Sequence, residues 1–193
     1  MEFKILWLCF VPLFVSVDAI GTLPIYMSLT DEIDARSRQK VVLTSVVTAM
    51  VVALLFLFVG EVVLRMLGIT VGDFMIAGGI ILFLISVGDI LMFSKPQKQI
   101  AADSLGPVPI GVPLIVGPAV LTTLLLLARE YGFFYTAIAT VVNILLAGMV
   151  FLLSGVIMRL LGGSGTKIVS KIASLFLAAI GVMMVRKGLT AVL

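Results

Sequence analysis

The chain has 193 residues, of which 62% are hydrophobic and 12% are charged, and its net charge is +3. Soluble domains are about 45–50% apolar, so this composition excludes an ordinary globular protein and indicates an all-α membrane protein. There is no histidine and only one cysteine, Cys9, which excludes histidine metal sites and an internal disulfide. No metal or cofactor is expected. The basic residues lie in the loops between apolar stretches. Basic loop residues help to orient membrane proteins, so these residues do not require a nucleic-acid partner.

Six apolar stretches follow one another along the chain, and a bilayer span needs about 20 such residues. They cover 5–28, 40–61, 73–93, 112–129, 133–158 and 168–187. The connections are short, so a single membrane domain is expected over 1–193. The loops after spans one, three and five hold more lysine and arginine than the other side. This bias predicts that both termini lie outside the plasma membrane, the inner membrane of a prokaryote.

Two local interactions are predicted near the ends of spans. Glu61 and Arg65 are four residues apart on one helix face, which favours an ion pair. Asp73 follows Gly72 at the start of span three and is predicted to be a helix N-cap.

The second half of the chain resembles the first. The sequence VPLFV at 11–15 returns as VPLIV at 112–116, FLFVG at 56–60 returns as FLLSG at 151–155, and LFL at 82–84 returns at 175–177. Each half contains three spans, an odd number, so the second half must enter the membrane from the opposite side. The prediction is an inverted repeat, with repeat one at 1–94, a linker at 95–106 and repeat two at 107–193. Such repeats are typical of transporters built around a pseudo-two-fold axis.

Spans one and four contain helix-breaking residues near mid-membrane. Asp18, Gly21 and Pro24 lie in span one, and Gly117 and Pro118 lie in span four. Proline lacks an N–H group and its ring clashes with the preceding turn. In lipid, the backbone groups freed in this way need partners in protein or in a water-filled cavity. Interruptions at corresponding places in two repeats are typical of a substrate site.

The interrupted segments resemble motifs of the MarC family of membrane proteins. DAIGTLPI at 18–25 is similar to that family's Asp/Asn-Pro-Ile-Gly-Asn-Ile-Pro motif, and PIGVPLIVGPA at 109–119 is similar to its Pro-Leu-Ala-x-Pro-Leu-x-x-Gly-Pro-Gly motif. GGIILF at 78–83 is similar to its third span. The resemblance covers essentially the whole chain and implies a SnatA-type carrier of small neutral amino acids such as glycine or alanine. Ala19, Thr22 and Ala119 replace a proline, an asparagine and a glycine of the motifs, and the first replacement weakens the expectation of a sharp break in span one.

Asp18 is the strongest candidate for a functional side chain. It lies close to the middle of span one, where inserting a carboxylate costs at least about 2.5–3.5 kcal/mol. If it is buried there, it could take up a proton during a transport cycle. Alternatively, Asp18 caps the second half of the broken helix, and the two roles are compatible.

The substrate is predicted to lie between the two interruptions. Half-helix N-termini suit a substrate carboxylate, and exposed carbonyl groups suit an ammonium. The candidate substrate-binding residues are Asp18, Ala19, Ile20, Gly21, Thr22, Gly117, Pro118, Ala119, Thr122, Thr123 and Asn143. The alternatives are that the glycines serve close packing, that the threonines bond their own backbone, and that Asn143 forms a helix–helix hydrogen bond.

Asp89, near the inner end of span three, is a second candidate for proton coupling, and an interfacial pair with Lys95 is the alternative. Asp18 and Asp89 together raise another hypothesis, an intramembrane aspartyl protease, because the sequence SVGD at 86–89 approaches a Gly-x-Gly-Asp pattern. A non-transporting scaffold and a channel are further alternatives. The sequence leaves open the coupling ion (a proton or sodium), the direction of transport and the oligomeric state.

Overall fold

The computed structural model describes residues 2–31, 33–91 and 105–192, and every element in these ranges is helical. The helices are α1 (Glu2–Val17), α2 (Ala19–Leu29), α3 (Ala35–Leu67), α4 (Val71–Leu91), α5 (Gly106–Ile115), α6 (Pro118–Tyr131) and α7 (Phe133–Val192). The expected all-α class is confirmed. The predicted linker at 95–106 lies outside the described residues up to residue 104.

Within these ranges, five helical stretches are long and apolar enough to cross a membrane: Glu2–Leu29, Ala35–Leu67, Val71–Gly88, Phe133–Ile157 and Ser174–Val192. The pair α5 and α6, which meet at 57°, forms a sixth if it is counted as one bent span. The last two stretches both lie in α7, which is divided into two helices at Gly162, where the backbone is not helical (φ 66°, ψ 175°). We call Phe133–Ile157 the first arm of α7 and Ser174–Val192 its second arm.

The helix α4 and the second arm of α7 run in opposite directions and approach closely at small residues. A Cβ atom added to Gly79 would lie 2.6 Å from the carbonyl oxygen of Gly181, and one added to Gly188 would lie 2.6 Å from that of Gly72. About two turns beyond Gly79, the hydroxyl of Ser86 donates to a backbone carbonyl of the second arm. Small residues let helix backbones pack tightly in a membrane, where van der Waals contact drives association. Close packing of the two backbones therefore holds this pair of helices together.

The start of span four is the segment α5, whose helical backbone is interrupted at two residues. Its prolines explain this shape. Val108 (φ −137°, ψ 126°) and Val112 (φ −136°, ψ 127°) are extended, and each precedes a proline, which disfavours the helical conformation. The segment packs on α3, where a Cβ added to Gly111 would lie 3.1 Å from Cβ of Thr48. Packing against α3 thus holds in place the segment that leads into the interruption of span four.

The N-cap of α4 is Thr70, so the prediction that Asp73 is the cap is wrong. The backbone N–H of Asp73 donates to the Thr70 hydroxyl at 3.2 Å, and the Asp73 carboxylate accepts from the backbone N–H of Thr70 at 2.6 Å. These reciprocal bonds form a capping box, in which the acidic residue stands three positions after the cap. The helix begins earlier than predicted because Thr70 supplies the capping hydroxyl.

Two side chains hold the turn between α2 and α3. The Asp34 carboxylate accepts from the backbone N–H of Ser37 at 3.1 Å, and its hydrogen bonds to Ser37 hold the pKa of Asp34 below its ordinary value. The Arg38 guanidinium donates to the carbonyl oxygens of Thr30 at 3.1 Å and Ile33 at 2.9 Å. The end of span one is thereby attached to the start of span two.

Glu61 connects the far ends of α3 and α6. Its carboxylate accepts from Arg65 at 2.6 Å, which confirms the predicted ion pair. The same carboxylate oxygen also accepts from Arg129, near the end of α6. One acidic side chain therefore holds two arginines from different spans.

The Gly79→Ala variant is expected to be less thermally stable than the wild type, because its Cβ meets the carbonyl oxygen of Gly181 and α4 has to move away. Overpacking of this kind costs about 1–3 kcal/mol. Gly88→Ala is the matched control on the same helix, since a Cβ there meets nothing within 4 Å. Thermal unfolding in detergent, followed by Trp7 fluorescence, checks the difference. Equal losses in both variants would contradict the close approach of the two helices.

Candidate functional site

Span one is broken at Asp18. The helix α1 ends at Val17 and α2 begins at Ala19, and Asp18 between them has φ 43° and ψ 53°, in the left-handed region. In the described ranges it is the only residue other than glycine with a positive φ. Aspartate tolerates this conformation better than most residues do. The predicted interruption is therefore present without the motif proline that Ala19 replaces.

The Asp18 side chain caps α2. Its Oδ1 accepts from the backbone N–H of Gly21 at 3.0 Å, and its backbone carbonyl accepts from the Thr22 N–H at 3.0 Å and the Thr22 hydroxyl at 2.9 Å. A Cβ added to Gly21 would lie 2.3 Å from the second carboxylate oxygen, Oδ2. Glycine at position 21 is required so that the carboxylate can lie over the first turn of α2. The capping role considered for Asp18 is thus observed.

Span four is broken at Val116 and Gly117. Gly117 is extended (φ −92°, ψ 178°) and forms the N-cap of α6, and Pro118 follows at the start of that helix, where its missing N–H is not needed. A Cβ added to Gly117 would lie 2.7 Å from the carbonyl oxygen of Pro113, so the chain folds back tightly here. No side chain caps this helix. Its N-terminus therefore keeps backbone donors and a partial positive charge that no side chain neutralises.

The two interruptions are joined directly by a hydrogen bond between hydroxyl groups. Ser16, two residues before Asp18, and Thr123, on α6, have their oxygen atoms 2.8 Å apart. Each hydroxyl also lies 2.8 Å from a backbone carbonyl of its own helix, that of Pro12 or Ala119. This contact, between residues more than 100 positions apart in sequence, shows that the broken parts of the two spans are neighbours.

Asp18 faces outward from the helix bundle, so the burial on which its proton-carrying role was conditional is not observed. The face of α1 that packs against the bundle contains Cys9, Leu13 and Val17, all buried, whereas Asp18 is exposed. The physical reason is its position on the helix, since the residues that precede it by four and seven, Phe14 and Val11, are also exposed. Beside Asp18 lies a hollow of about 270 Å³, lined by Phe14, Val15, Asp18, Ala19 and Ile20.

The predicted binding residues fall into three groups. Those of span one lie together, because Asp18, Ala19 and Ile20 line the hollow and Gly21 and Thr22 bond to Asp18. Those of span four surround the N-terminus of α6, with Gly117 and Thr123 half-buried, Pro118 buried, and Ala119 and Thr122 exposed. Thr122 and Thr123 both bond backbone carbonyls of their own helix, and Thr123 also reaches Ser16.

The third group is Asn143 alone. It contacts α1 at Phe10, before the break at Asp18. Its Nδ2 donates to the carbonyl oxygens of Phe10 at 3.2 Å and Ala139 at 2.9 Å, so it forms the helix–helix hydrogen bond considered as the alternative. Its Oδ1 is buried and has no hydrogen-bond partner in the part of the chain that the structure describes. Asn143 therefore positions α1 against the first arm of α7 and does not line the hollow.

Ser16 is the site residue that sequence reasoning missed. The signal that could have found it is a hydroxyl inside an apolar helix, next to the interruption. Asp89 lies on α4, but its side chain is outside what the structure describes, so its coupling role and its pairing with Asp18 in a protease stay predictions. No group of three or more possible metal ligands occurs among the described residues.

Comparison with known proteins identifies the family. A family model described as "MarC family integral membrane protein" matches residues 3–193. The chain belongs to the MarC family. Two relatives are each named UPF0056 membrane protein. The one from Buchnera aphidicola subsp. Schizaphis graminum is 32% identical over 179 residues, and the match covers 91% of each chain. The one from Archaeoglobus fulgidus is 32% identical over 192 residues, and the match covers 93% of this chain and 90% of the relative.

A further MarC relative is the inner membrane protein YhgN of Escherichia coli strain K12, with 30% identity over 177 residues and 90% of each chain covered. No solved structure matches the chain. Family membership and the apolar helices together confirm that this is an integral membrane protein. The orientation of its termini stays a prediction.

In this MarC-family protein, Ser16→Ala and Thr123→Val each remove one partner of the hydroxyl bond. Each variant is expected to unfold at a lower temperature, and the double variant to lose less than the sum, with a coupling of about 0.5–1 kcal/mol. Thr122→Val is the matched control, since the Thr122 hydroxyl bonds only the Pro118 carbonyl in its own helix. Thermal unfolding of the five proteins in one detergent measures the coupling. Strict additivity of Ser16→Ala and Thr123→Val would contradict the bond.

Proposed function

We propose that the protein is a secondary transporter of small neutral amino acids such as glycine or alanine; a proton and a sodium ion are the two candidate coupling ions. The observation that carries this proposal is the hydrogen bond between Ser16 and Thr123, which makes the two broken spans neighbours. Interrupted helices that meet near mid-membrane are typical of transporter substrate sites. The resemblance of both segments to SnatA-type carriers supports the same function.

The two helix starts offer different chemistry to a zwitterion. At α2, the Asp18 carboxylate already occupies the Gly21 N–H, so this end presents a negative charge that suits an ammonium group. At α6, no side chain caps the N-terminus, so its backbone donors suit a carboxylate. A substrate between the two ends would thus have its ammonium near Asp18 and its carboxylate near Gly117 and Ala119.

The hollow beside Asp18 is lined by residues of span one alone, so it is proposed to take only the ammonium end of the substrate, and its size favours a small solute. Its volume is about 270 Å³, which is below the ~300–1,000 Å³ of sites for drug-sized ligands. Its lining is apolar apart from Asp18, so it offers nothing to the charged side chain of a larger amino acid. Both properties agree with a neutral substrate of few atoms.

Uptake of labelled glycine and alanine into liposomes containing the purified protein tests the function. Accumulation above that of empty liposomes is expected, and imposing a pH or sodium gradient shows which ion is coupled. Equal uptake by protein-containing and empty liposomes under every gradient would count against transport of these substrates. Protein that instead cleaves membrane-embedded peptides would support the aspartyl protease hypothesis.

If Asp18 carries the coupling proton, Asp18→Asn is expected to lose pH-driven accumulation while keeping substrate exchange across the membrane. Asparagine is nearly as good a helix cap and adopts the left-handed conformation as readily, but it cannot exchange a proton. Exchange needs the site without net proton movement, so it should survive. Both activities are measured in the same liposome preparation.

Asp89→Asn is the control, and a smaller loss of accumulation is expected. If Asp18 binds the substrate ammonium directly, exchange and accumulation will fall together in Asp18→Asn. Full pH-driven accumulation by Asp18→Asn would refute the proton-carrying role of Asp18.

A further inference from the structure

The ends of spans one, two and five meet around Arg38, at one end of the helix bundle. Tyr26, near the end of α2, is fully buried and stacks on Phe151 of the first arm of α7, with ring centroids 4.5 Å apart and an interplanar angle of 7°. The Tyr26 hydroxyl donates to the backbone carbonyl of Arg38 at 3.3 Å. The side chain of Ser154, three residues after Phe151, lies close to the same hydroxyl. We call Tyr26, Arg38 and Ser154 the Arg38 junction.

Two hydrogen-bond donors at the Arg38 junction have no acceptor. The Nη2 of Arg38 donates to the carbonyl oxygens of Thr30 and Ile33, but Nε of the same guanidinium is buried and has no partner in the part of the chain that the structure describes. The Ser154 hydroxyl is 0% exposed and makes no hydrogen bond there either. Nε can only donate, and a serine hydroxyl brings a proton of its own. Buried polar groups of this kind are uncommon in folded proteins, and a bound water or ion is a usual explanation.

There is room beside the Arg38 guanidinium where it approaches the first arm of α7. A Cβ added to Gly155, the residue after Ser154, would meet only Nη1 of Arg38, at 4.0 Å, apart from its chain neighbours. The absent side chain at Gly155 therefore leaves space next to the positive charge. Because Arg38 is half-buried, a small solute can approach this space from the end of the bundle.

The charge of Arg38 favours an anion over a water molecule. Among the described residues, no ion pair joins Arg38 to an acidic side chain, and charges removed from water are normally paired. A water molecule would also bring two protons that need acceptors. The nearby Thr30 carbonyl already accepts two hydrogen bonds, from Arg38 and from the Ile33 N–H. An anion needs no acceptor and supplies the missing charge.

We propose that the Arg38 junction binds a monovalent anion of halide size, such as chloride, between Arg38 Nε and the Ser154 hydroxyl. Both donors then have an acceptor, and hydrogen bonds to an ionised group are about twice as strong as neutral ones. Two donors suffice for a single-atom anion, whereas a phosphate has several oxygen atoms to satisfy. The ion joins spans two and five where the end of span one contacts both. This inference rests on buried donors at the end of the bundle and does not depend on the proposed transport of amino acids.

Thermal unfolding in detergent tests the site, with sodium gluconate replaced by sodium chloride at constant ionic strength. Constant ionic strength keeps the screening of the exposed Glu61 ion pairs unchanged. The melting temperature of the wild type is expected to rise by about 3–6 °C at a chloride concentration ten times the Kd, because a ligand that binds only the folded state stabilises it. A melting temperature that does not depend on chloride would overturn the proposal and leave water as the acceptor.

Ser154→Ala separates ion binding from packing. The Ser154 hydroxyl has no protein partner, so this variant should be about as stable as the wild type in gluconate and should lose most of the gain in chloride. Ser45→Ala is the matched control, because Ser45 is equally buried but its hydroxyl donates to the Val41 carbonyl at 2.6 Å. It should be less stable in gluconate and keep the gain. An equal gain in the wild type and Ser154→Ala, or a gain lost in Ser45→Ala as well, contradicts the proposal.

A second pair of variants tests the charge. Arg38→Gln should lose the chloride gain, and it should also be less stable in gluconate because it releases the carbonyl oxygens of Thr30 and Ile33. Arg36→Gln removes an exposed positive charge two residues away and should keep the gain. Monodisperse elution confirms that each variant is folded. A gain that persists in Arg38→Gln, or that is lost equally in Arg36→Gln, contradicts binding at the Arg38 junction.

Discussion

The structure depends on the requirement that backbone N–H and C=O groups inside a bilayer find partners within the protein. Each unsatisfied group costs several kcal/mol in hydrocarbon, which is why every element in the described ranges is a helix. The two interruptions meet this requirement by different means. At Asp18, a carboxylate folds over the next turn and bonds to it. At Gly117, the turn lies between buried segments, with Val116 and Pro118 both shielded from the surroundings.

The same requirement explains the behaviour of the hydroxyl groups. The hydroxyl groups of Thr22 and Thr122 donate to carbonyl oxygens of their own helices. Ser16 and Thr123 each lie within reach of a carbonyl of their own helix and of each other. Because each hydroxyl has one proton, one of the two donates to the other, and the second donates to its own helix carbonyl. Each of these hydroxyls therefore has a partner within the bundle without any ligand. The region is therefore stable without a ligand, and a solute that entered it would have to break few hydrogen bonds.

Much of this architecture could be predicted from the sequence, because apolar length and helix-breaking residues act locally. The spans, both interruptions and the pairing of Glu61 with Arg65 depend on residues near one another in the chain. The side toward which Asp18 points could not be predicted, because it depends on which face of α1 packs against α6 and α7. Ser16 was missed for the same reason, since its partner lies in another span. The cap of α4 was misplaced because Thr70 and Asp73 share the task, and the choice between them depends on where the helix begins.

The position of Glu61 has a consequence for how α6 is held. This helix starts at the interruption at Gly117, and its far end is held by Arg129 bound to Glu61. The side chains of Arg65 and Arg129 are 77% and 66% exposed, so dissolved ions reach both contacts and screen them. The strength of the ion pair that holds the far end of α6 therefore depends on the ionic strength on one side of the membrane.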